Sequence, residues 1–315
     1  MTGRVGEGGA AAALTGVGAR LPSPLLDVRD DRFDARGVRL ALKRDDLIHP
    51  EVVGNKWRKL TPNLTAAGRR TVVTFGGAYS NHLRATAAAG RLLGLRTLGV
   101  VRGDELADRP LNPSLARCAA DGMRLRFVDR ATYRRAAEPE VLAALLAALD
   151  LAPEDAYVVP EGGSNPLAVQ GCVPLGRELR GRADVVAVAC GTGGTLAGLA
   201  AGLDPDQRAL GVPVVGGGFL TEATAGLQRA TFGQRRGTWS LDDRFHWGGY
   251  ARVPAPLREF ADDFARRHGL AVEHLYVAKL LWALLKLTEE GAFPAGTRLV
   301  AVVTGRPGPE TGGQG

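Results

Sequence analysis

Cysteine is scarce in this sequence, and neither its cysteines nor its histidines have the spacing of a metal site. Cys118, Cys172 and Cys190 lie far apart and form no CxxC pair, which argues against a disulfide framework and against a zinc site. The five histidines show no HxxxH spacing. We therefore predict that the protein binds no metal, and its cysteine content fits a reducing cytoplasm best.

Long apolar runs and blocks of like charge are also missing. No stretch approaches the length of uninterrupted apolar residues that spans a bilayer, and residues 1–20 make a poor signal peptide. The 40 basic and 33 acidic residues give a formal charge of +7, but basic residues never occur in runs longer than pairs. A nucleic-acid-binding surface requires a basic stripe, so we expect neither a membrane nor a nucleic acid as partner.

Lysine is rare as well, since all but five of the basic residues are arginines. The lysines are Lys43, Lys56, Lys59, Lys279 and Lys286. An amine, unlike a guanidinium, loses its proton when it is desolvated and then acts as a nucleophile or a base. Lys56, in the segment GNKWRKL, is therefore a candidate for an imine with an aldehyde cofactor. The heptapeptide alone is equally compatible with a solvated lysine at the start of a helix.

Short valine-rich runs alternate along the chain with longer segments rich in alanine and leucine. This alternation predicts an α/β fold with open, twisted, mostly parallel sheets covered by helices. At 315 residues with 45% hydrophobic content, the chain is expected to divide into two lobes. We predict strands at residues 71–75, 97–102, 124–128, 157–159, 185–190, 212–215 and 298–303. We predict helices at residues 81–93, 112–121, 140–149, 166–180, 194–203, 222–231, 256–268 and 276–290. Residues 1–20 and 306–315 are expected to be flexible.

The first segment with chemical potential is GGAYSNH, residues 76–82, between a predicted strand and a predicted helix. Glycines at such a junction leave backbone N–H groups exposed at a helix N-terminus, where the dipole favours an anion such as a carboxylate. Ser80 and Asn81 add a hydroxyl and an amide. The alternative interpretation is a plain helix cap by Ser80 or Asn81.

The second segment is the glycine-rich run from Cys190 to Gly198. Its glycines permit close backbone approach and its threonines donate hydroxyls, so the loop is suited to hold a phosphate. The residues concerned are Gly191, Thr192, Gly193, Gly194 and Thr195. The run has neither a ribose-binding acid at the expected distance nor the lysine of a P-loop, which disfavours a nucleotide. We therefore interpret the loop as a binding site for the phosphate of another cofactor.

Three further segments are weaker candidates. The turn from Pro160 to Pro166 (PEGGSNP) is at least as compatible with a capped helix start as with a ligand site. Tyr250 and Tyr276 are each compatible with an aromatic cofactor, although a lone tyrosine is more often simply packed. Thr304 ends the last predicted strand.

Taken in order, these segments resemble the 1-aminocyclopropane-1-carboxylate deaminase and D-cysteine desulfhydrase family. These are pyridoxal-phosphate enzymes of the tryptophan-synthase-beta-like fold, also called fold type II. The resemblance runs from Pro22 to Gly305 and includes the segment LKRDD at residues 42–46. It implies a homodimer whose large domain comprises residues 1–52 and 161–315 and whose small domain comprises residues 53–160.

The resemblance also implies roles for individual residues. Lys56 is expected to be the Schiff-base lysine and the acid/base that moves the alpha proton. Asn81 is expected to bond the phenolic oxygen of pyridoxal 5'-phosphate, and Ser80 to lie over the substrate carboxylate or reacting carbon. The run Gly191, Thr192, Gly193, Gly194 and Thr195 is expected to hold the phosphate. Tyr250 and Tyr276 match tyrosines that line the substrate side.

One departure from the family bears on the reaction. The deaminase branch has a glutamate after the C-terminal tyrosine, which pairs with the pyridine nitrogen, and the desulfhydrase branch has a small hydroxyl residue there. This chain has Val277 and so departs from both branches. Valine neither donates nor accepts a hydrogen bond, so ring opening of the cyclopropane is disfavoured. Thr304, shared with the desulfhydrase branch, can still bond a neutral nitrogen.

We therefore expect a lyase that acts on a small amino acid with a beta leaving group, most like a D-cysteine desulfhydrase. Beta-replacement, a specialised biosynthetic reaction and 1-aminocyclopropane-1-carboxylate deamination remain alternatives within the same scaffold. A homologue that binds cofactor or amino acid without turnover is the alternative from another class.

Overall fold

The structure is a computed structural model that describes residues 18–307. The flexible ends predicted at residues 1–17 and 308–315 lie outside the described residues. At the edges of the described part, the Arg20 N–H donates to the Ile48 carbonyl at 2.8 Å, and the Arg306 guanidinium donates to the Pro50 carbonyl. Among residues 18–307, no helix is long and apolar enough to cross a membrane.

Ten strands and eleven α-helices make up the described chain. The strands are β1 (Leu25–Val28), β2 (Arg39–Lys43), β3 (Thr71–Gly76), β4 (Thr97–Arg102), β5 (Arg124–Val128), β6 (Ala156–Val159), β7 (Val185–Cys190), β8 (Arg208–Pro213), β9 (Thr238–Leu241) and β10 (Arg298–Val302). The helices are α1 (Asp31–Asp34), α2 (Lys56–Ala67), α3 (Asn81–Leu93), α4 (Pro113–Ala120), α5 (Arg130–Arg134), α6 (Pro139–Ala147), α7 (Pro166–Arg177), α8 (Gly194–Gly202), α9 (Leu220–Phe232), α10 (Ala255–His268) and α11 (Val277–Glu289).

The strands form two separate sheets. The larger has six strands in the order β1-β2-β10-β7-β8-β9, and only the β1–β2 pair is antiparallel. The smaller has four parallel strands in the order β5-β4-β3-β6. The predicted α/β class with open, mostly parallel sheets is confirmed.

Helices cover both faces of the six-stranded sheet, and its central strands are therefore buried on both sides. Along β7, alternate side chains enter two different apolar clusters. Val185 and Ala187 pack with residues of α10 and α11, such as Phe264. Val186 and Val188 pack on the opposite face, with residues of α7 and α8.

The four-stranded sheet is covered in the same way. On one face, strand residues such as Val73 and Leu98 pack with Leu146 of α6. On the other face, Val101 packs with Leu83 of α3. Since both sheets are parallel in this region, the glycine-rich turns that follow β3 and β7 lie at the carboxyl ends of strands, where α/β proteins bind ligands.

The chain forms two compact units that are interleaved in sequence. Within the described residues, one unit comprises residues 18–19 and 56–165, and the other comprises residues 20–55 and 166–307. The first therefore holds the four-stranded sheet, and the second holds the six-stranded sheet. The domain boundaries at residues 53 and 160, inferred from the resemblance, stay a prediction.

Candidate active site

Lys56 is the first residue of α2, and its amine points to a backbone oxygen within the same unit. Its Nζ lies 3.4 Å from the carbonyl oxygen of Gly162. One turn later, the Nζ of Lys59 donates to the same oxygen at 2.6 Å and to the Ser164 hydroxyl at 2.7 Å. Lys59 is buried, and Lys56 is partly exposed. Lys56 thus begins a helix, as one interpretation of the sequence held, but its amine makes a specific contact.

The carbonyl that receives both amines belongs to a turn that only glycine fits. Gly162 and Gly163 have φ angles of 66° and 68°, in the left-handed region that L-residues with a Cβ rarely adopt. A Cβ on Gly163 would lie 2.9 Å from Cε1 of His82. The Gly-Gly pair of the PEGGSNP segment therefore shapes the turn that presents the Gly162 oxygen to the lysines.

His82 is buried against this turn, and its hydrogen bonds fix its tautomer. The Thr74 hydroxyl donates its one proton to the Val159 carbonyl at 2.8 Å. The 2.7 Å contact between Thr74 Oγ1 and His82 Nε2 therefore requires that Nε2 carries the proton. Burial lowers the pKa of His82 well below its ordinary value, and the charges of Lys56 and Lys59 lower it further. The imidazole is neutral, and its Nδ1 has no hydrogen-bond partner among the described residues.

Ser80 and Asn81 lie where the sequence predicts, at the start of α3, and both contact that helix. Ser80 is the N-cap, and its Oγ accepts from the Leu83 N–H at 3.3 Å. The Asn81 Oδ1 accepts from the Arg84 guanidinium. The helix-cap interpretation is thus correct for Ser80, while the roles toward substrate and cofactor stay predictions.

The second glycine-rich loop, residues 191–195, connects β7 to α8 within the other unit. Gly193 is the N-cap of α8 with φ 78°, and a Cβ there would lie 2.3 Å from Oγ1 of Thr224. Thr224 is fully buried, and its hydroxyl has no hydrogen-bond partner among the described residues. Because Gly193 has no side chain, nothing crowds the first backbone N–H groups of α8. They lie next to the Thr224 hydroxyl, which has no hydrogen-bond partner among the described residues.

Two neighbouring chain segments meet this loop. The side-chain amide of Asn55 donates to Thr195 Oγ1 at 2.9 Å, and the Asn55 N–H donates to the Thr304 carbonyl at 3.2 Å. A Cβ on Gly54 would lie 1.8 Å from that same carbonyl oxygen, so only glycine fits there. Asn55 is thereby bonded both to the glycine-rich loop of residues 191–195 and to Thr304, which follows β10.

Tyr276 immediately precedes α11 and lies beside the glycine-rich loop. A Cβ on Gly191 would lie 3.2 Å from the Tyr276 hydroxyl oxygen. The backbone of this tyrosine is fixed by the buried carboxylate of Glu273, which accepts from the N–H groups of Leu275, Tyr276 and Val277 at 2.7, 2.8 and 3.2 Å. Burial raises the pKa of Glu273, and the three backbone donors act in the opposite direction.

Tyr250 faces Tyr276, with ring centroids 5.7 Å apart and planes at 71°. Such an edge-to-face contact is a favourable arrangement for two aromatic rings. Val277, the next residue after Tyr276, is 1% exposed and lies in the apolar cluster around α10 and α11. The valine side chain is thus committed to apolar packing.

The predicted site residues therefore fall into two sets. Lys56, Ser80 and Asn81 belong to the unit of residues 56–165, and the remainder belong to the other unit. The sequence-based interpretation named no role for Lys59, Asn55, Glu273 or Lys279. The rarity of lysine was a usable signal for Lys59 and Lys279, which are 2% and 0% exposed.

These features fit pyridoxal phosphate. An open glycine cradle at a helix N-terminus suits a phosphate, and the unpartnered Thr224 hydroxyl beside it adds a polar atom. Lys56 supplies an amine at a helix start. The three cysteines are buried and form no disulfide. No group of three or more His, Cys, Asp or Glu side chains within residues 18–307 has the geometry of a metal site.

Comparisons with known proteins agree with this fit. The chain matches the family described as pyridoxal-phosphate dependent enzyme over residues 18–305. It is 30% identical over 270 residues to a Thermotoga maritima protein named "Putative 1-aminocyclopropane-1-carboxylate deaminase", which covers 80% of this chain and 84% of that one. It is 35% identical over 198 residues to a D-cysteine desulfhydrase of Yersinia pestis, and this match spans 58% of each chain.

A solved structure gives the same result. The crystal structure of a homologue of 1-aminocyclopropane-1-carboxylate deaminase superposes with a TM-score of 0.76 at 26% identity, covering 94% of both chains. The resemblance inferred from the sequence and the predicted cofactor, pyridoxal 5'-phosphate, are confirmed by these matches. The chain therefore belongs to the pyridoxal-phosphate dependent enzymes and, among them, groups with relatives named 1-aminocyclopropane-1-carboxylate deaminase and D-cysteine desulfhydrase.

Proposed function

We propose that the enzyme catalyses α,β-elimination on a small amino acid that carries a beta leaving group, with D-cysteine as the model substrate. The alpha proton and the thiolate are lost, and the released enamine takes up water to give a keto acid and ammonia. The observation that carries this choice is the burial of Val277 in an apolar cluster. Pyridoxal phosphate, held by Lys56 and residues 191–195, would supply the electron withdrawal that makes the alpha proton of the substrate acidic.

Val277 bears on how strongly the cofactor ring withdraws electrons from the substrate. The resemblance places a glutamate here in the deaminase branch, where it stabilises a protonated ring nitrogen. A valine gives that nitrogen no hydrogen-bond partner, which favours the neutral form. A neutral ring is a weaker electron sink, and it suits a reaction whose leaving group carries charge away. Elimination of a thiolate meets that condition, whereas opening a cyclopropane does not.

Lys56 is proposed as the attachment point of the cofactor and as the base for the alpha proton. Its 3.4 Å contact with the Gly162 carbonyl is near the outer limit of a hydrogen bond, so the amine can leave this acceptor at little cost. Lys59 holds the same carbonyl at 2.6 Å. The turn therefore keeps its shape when Lys56 changes partner.

Gly191 to Thr195 are proposed to hold the phosphate, with Thr304 available to the ring nitrogen. The N-terminal amides of α8 and the helix dipole favour an anion. Asn55, bonded to both Thr195 and Thr304, fixes these two positions relative to each other. Ser80 and Asn81 are proposed to bind the substrate carboxylate and the cofactor's phenolic oxygen, and Tyr250 and Tyr276 to line the substrate side.

The test is a product assay on purified holoprotein with D-cysteine, L-cysteine and 1-aminocyclopropane-1-carboxylate. We expect keto acid, ammonia and sulfide in equal amounts from a cysteine, and no turnover of the cyclopropane. The Lys56→Ala variant should lose all turnover, while Lys286→Ala, on the exposed side of α11, should retain it. Turnover of the cyclopropane alone, or an active Lys56→Ala variant, would overturn the proposal.

The same experiment separates the alternatives. Product that depends on an added nucleophile would indicate beta-replacement. A change in the visible spectrum without any product would indicate a homologue that binds without turnover.

We further propose that the enzyme is a homodimer in the cytoplasm. The dimer rests on the family resemblance. The location is supported by Cys118, Cys172 and Cys190, which are buried and form no disulfide, as suits a reducing compartment. Light scattering coupled to size-exclusion chromatography should give twice the 33.1 kDa mass of the chain.

A further inference from the structure

Lys279 is a fully buried lysine whose charge is surrounded by backbone oxygens. It lies in the first turn of α11 and is 0% exposed. Its Nζ is 2.7 Å from the Gly249 carbonyl oxygen and 2.9 Å from that of His246. The carbonyl oxygens of Val214 and Tyr250 are both 3.4 Å away. Three of these four acceptors belong to one short segment, residues 246–250, which we call the tyrosine loop.

The backbone of the tyrosine loop contains three consecutive residues with positive φ angles. Trp247, Gly248 and Gly249 have successive φ angles of 57°, 82° and 134°. A left-handed conformation at a tryptophan is unfavourable, and such conformations persist only where the surroundings enforce them. These turns direct the His246 and Gly249 carbonyls toward the same ammonium. Lys279 thus donates to two carbonyls that flank the strained residues.

Burying an ammonium is itself unfavourable, so the carbonyl acceptors around Lys279 must offset the loss of its hydration. An apolar side chain of the same length would fill the space without desolvating a charge. Burial lowers the pKa of Lys279 to about 8, and the nearby Glu273 carboxylate acts in the opposite direction. The side chain therefore remains mostly protonated at pH 7, where three N–H donors serve the clustered carbonyls.

The loop and the helix each carry one of the two facing tyrosines. Tyr276 precedes Lys279 by three residues, so both lie in the same turn of the chain. Tyr250 ends the loop whose carbonyls Lys279 binds, and its ring meets Tyr276 edge to face at 5.7 Å. Lys279 therefore bonds the loop that carries Tyr250 and lies in the helix that follows Tyr276.

We propose that Lys279 is a positioning residue for the substrate side of the site, because its ammonium holds the tyrosine loop in the conformation that places Tyr250 against Tyr276. This inference rests on the proposed function only in taking Tyr250 to face the substrate. Lys279 has no covalent role and touches no reacting atom. Its loss should weaken substrate binding more than it slows the chemical step.

The decisive variant is Lys279→Met, whose unbranched side chain is one atom shorter and has no N–H donors. Lys286→Met is the matched control on the same helix, since Lys286 is partly exposed and pairs with Glu289 at 2.7 Å. Hydrogen–deuterium exchange of the peptide containing residues 246–250 should accelerate about tenfold or more in Lys279→Met holoenzyme at pH 7. It should stay at the wild-type rate in the control.

The steady-state parameters provide the second measurement. KM for the substrate that is turned over should rise about tenfold in Lys279→Met, with kcat changed by less than about threefold, the pattern of lost uniform binding. If Lys279→Met fails to fold, Gly249→Ala disturbs the same loop from the other side. An added Cβ there meets nothing within 4 Å, but φ of 134° strains it. It should reproduce both the faster exchange and the higher KM.

Wild-type exchange and an unchanged KM in Lys279→Met would overturn the inference. Exchange is measured without any reaction, so it also separates the two proposals. A loop that loosens in a protein without lyase activity would leave the role of Lys279 standing and remove the proposed function. A rigid loop in an active enzyme would do the reverse.

Discussion

Lys56 and Lys59 share one acceptor, the carbonyl oxygen of Gly162, at 3.4 Å and 2.6 Å. The two amines lie one turn apart on α2, and the shorter contact belongs to the residue with no predicted chemical role. Lys59 therefore anchors the turn, and Lys56 is the amine that is able to exchange partners. The two lysines are therefore expected to differ when each is replaced.

Lys59→Met should loosen the turn at Gly162 and lower kcat by about tenfold to a hundredfold, because Lys56 loses its fixed surroundings. The partly buried Gly162 carbonyl and Ser164 hydroxyl lose the Lys59 donor, which should cost about 1 kcal/mol of unfolding free energy. Urea unfolding and product formation measure the two effects. Lys286→Met should change neither, and a fully active Lys59→Met enzyme would contradict the anchoring role.

Gly193→Ala should weaken cofactor binding. The change combines a strained φ of 78° with a Cβ 2.3 Å from Thr224 Oγ1, so the start of α8 must shift. Gly233→Ala is the control, since its φ is 76° and its Cβ would meet nothing within 4 Å. Titration of the apoprotein with pyridoxal phosphate should show at least about a tenfold rise in Kd for Gly193→Ala. An equal Kd in both variants would show that crowding at the loop is unimportant.

Val277→Thr should reveal whether this position faces the ring nitrogen. In the apoprotein, a buried hydroxyl without a partner should lower Tm, at a cost of about 1–3 kcal/mol. In the holoprotein, a hydrogen bond to the nitrogen should recover part of that loss. The gap in Tm between holoprotein and apoprotein should then widen relative to wild type. Val300→Thr, also 1% exposed, should lower both values equally, and the same behaviour in Val277→Thr would refute the assignment.

Asp30 should make stability depend on acid pH. Burial would raise the pKa of its carboxyl, but hydrogen bonds from Arg32 and His268 outweigh this and hold the pKa far below the ordinary 3.8. A carboxyl with a lowered folded-state pKa stabilises the fold above its unfolded pKa and loses that contribution as pH falls below it. The free energy of unfolding should therefore decline below about pH 4.

The Asp30→Asn variant should be less stable at pH 7 and show a flatter decline in acid. Urea unfolding between pH 3 and 7 measures both. Asp31→Asn, at an exposed neighbouring position, should keep the wild-type profile. If Asp30→Asn retains the wild-type acid slope, another group is responsible.

Parts of the fold were predictable because buried parallel strands are continuous apolar runs. The strands Thr97–Arg102, Arg124–Val128 and Val185–Cys190 have the predicted bounds. The strand predicted at residues 212–215 is instead Arg208–Pro213, because its exposed first residue, Arg208, conceals where the buried run begins. The strands Leu25–Val28, Arg39–Lys43 and Thr238–Leu241 were missed. The first and the last are edge strands of the six-stranded sheet, with partly exposed residues that leave no apolar run. Arg39–Lys43 lies inside the sheet, but its sequence RLALK is short and has a basic residue at each end.

The helix Lys56–Ala67 was absent from the predicted helices, and it contains Pro62 in its interior. Proline normally interrupts a helix, so a prediction from local sequence does not extend a helix through Pro62. The candidate site was predictable where it consists of local motifs, such as the turns at Ser80 and Gly193. The contacts of Glu273 and Lys279 were not predictable in this way. The carbonyls that Lys279 binds lie 29 to 65 positions away in the chain, and only the folded path brings them together.

Three of the five lysines are enclosed by the fold, namely Lys43, Lys59 and Lys279, which are 2%, 2% and 0% exposed. The folded protein therefore has few accessible lysine amines. Among the described lysines, acylating reagents that select amines will find mainly Lys286, whose side chain is 36% exposed, and Lys56, which is partly exposed. Unfolding makes every lysine reactive at once. The number of acyl groups counted by intact mass therefore reports the folded fraction directly, without any dye or engineered label.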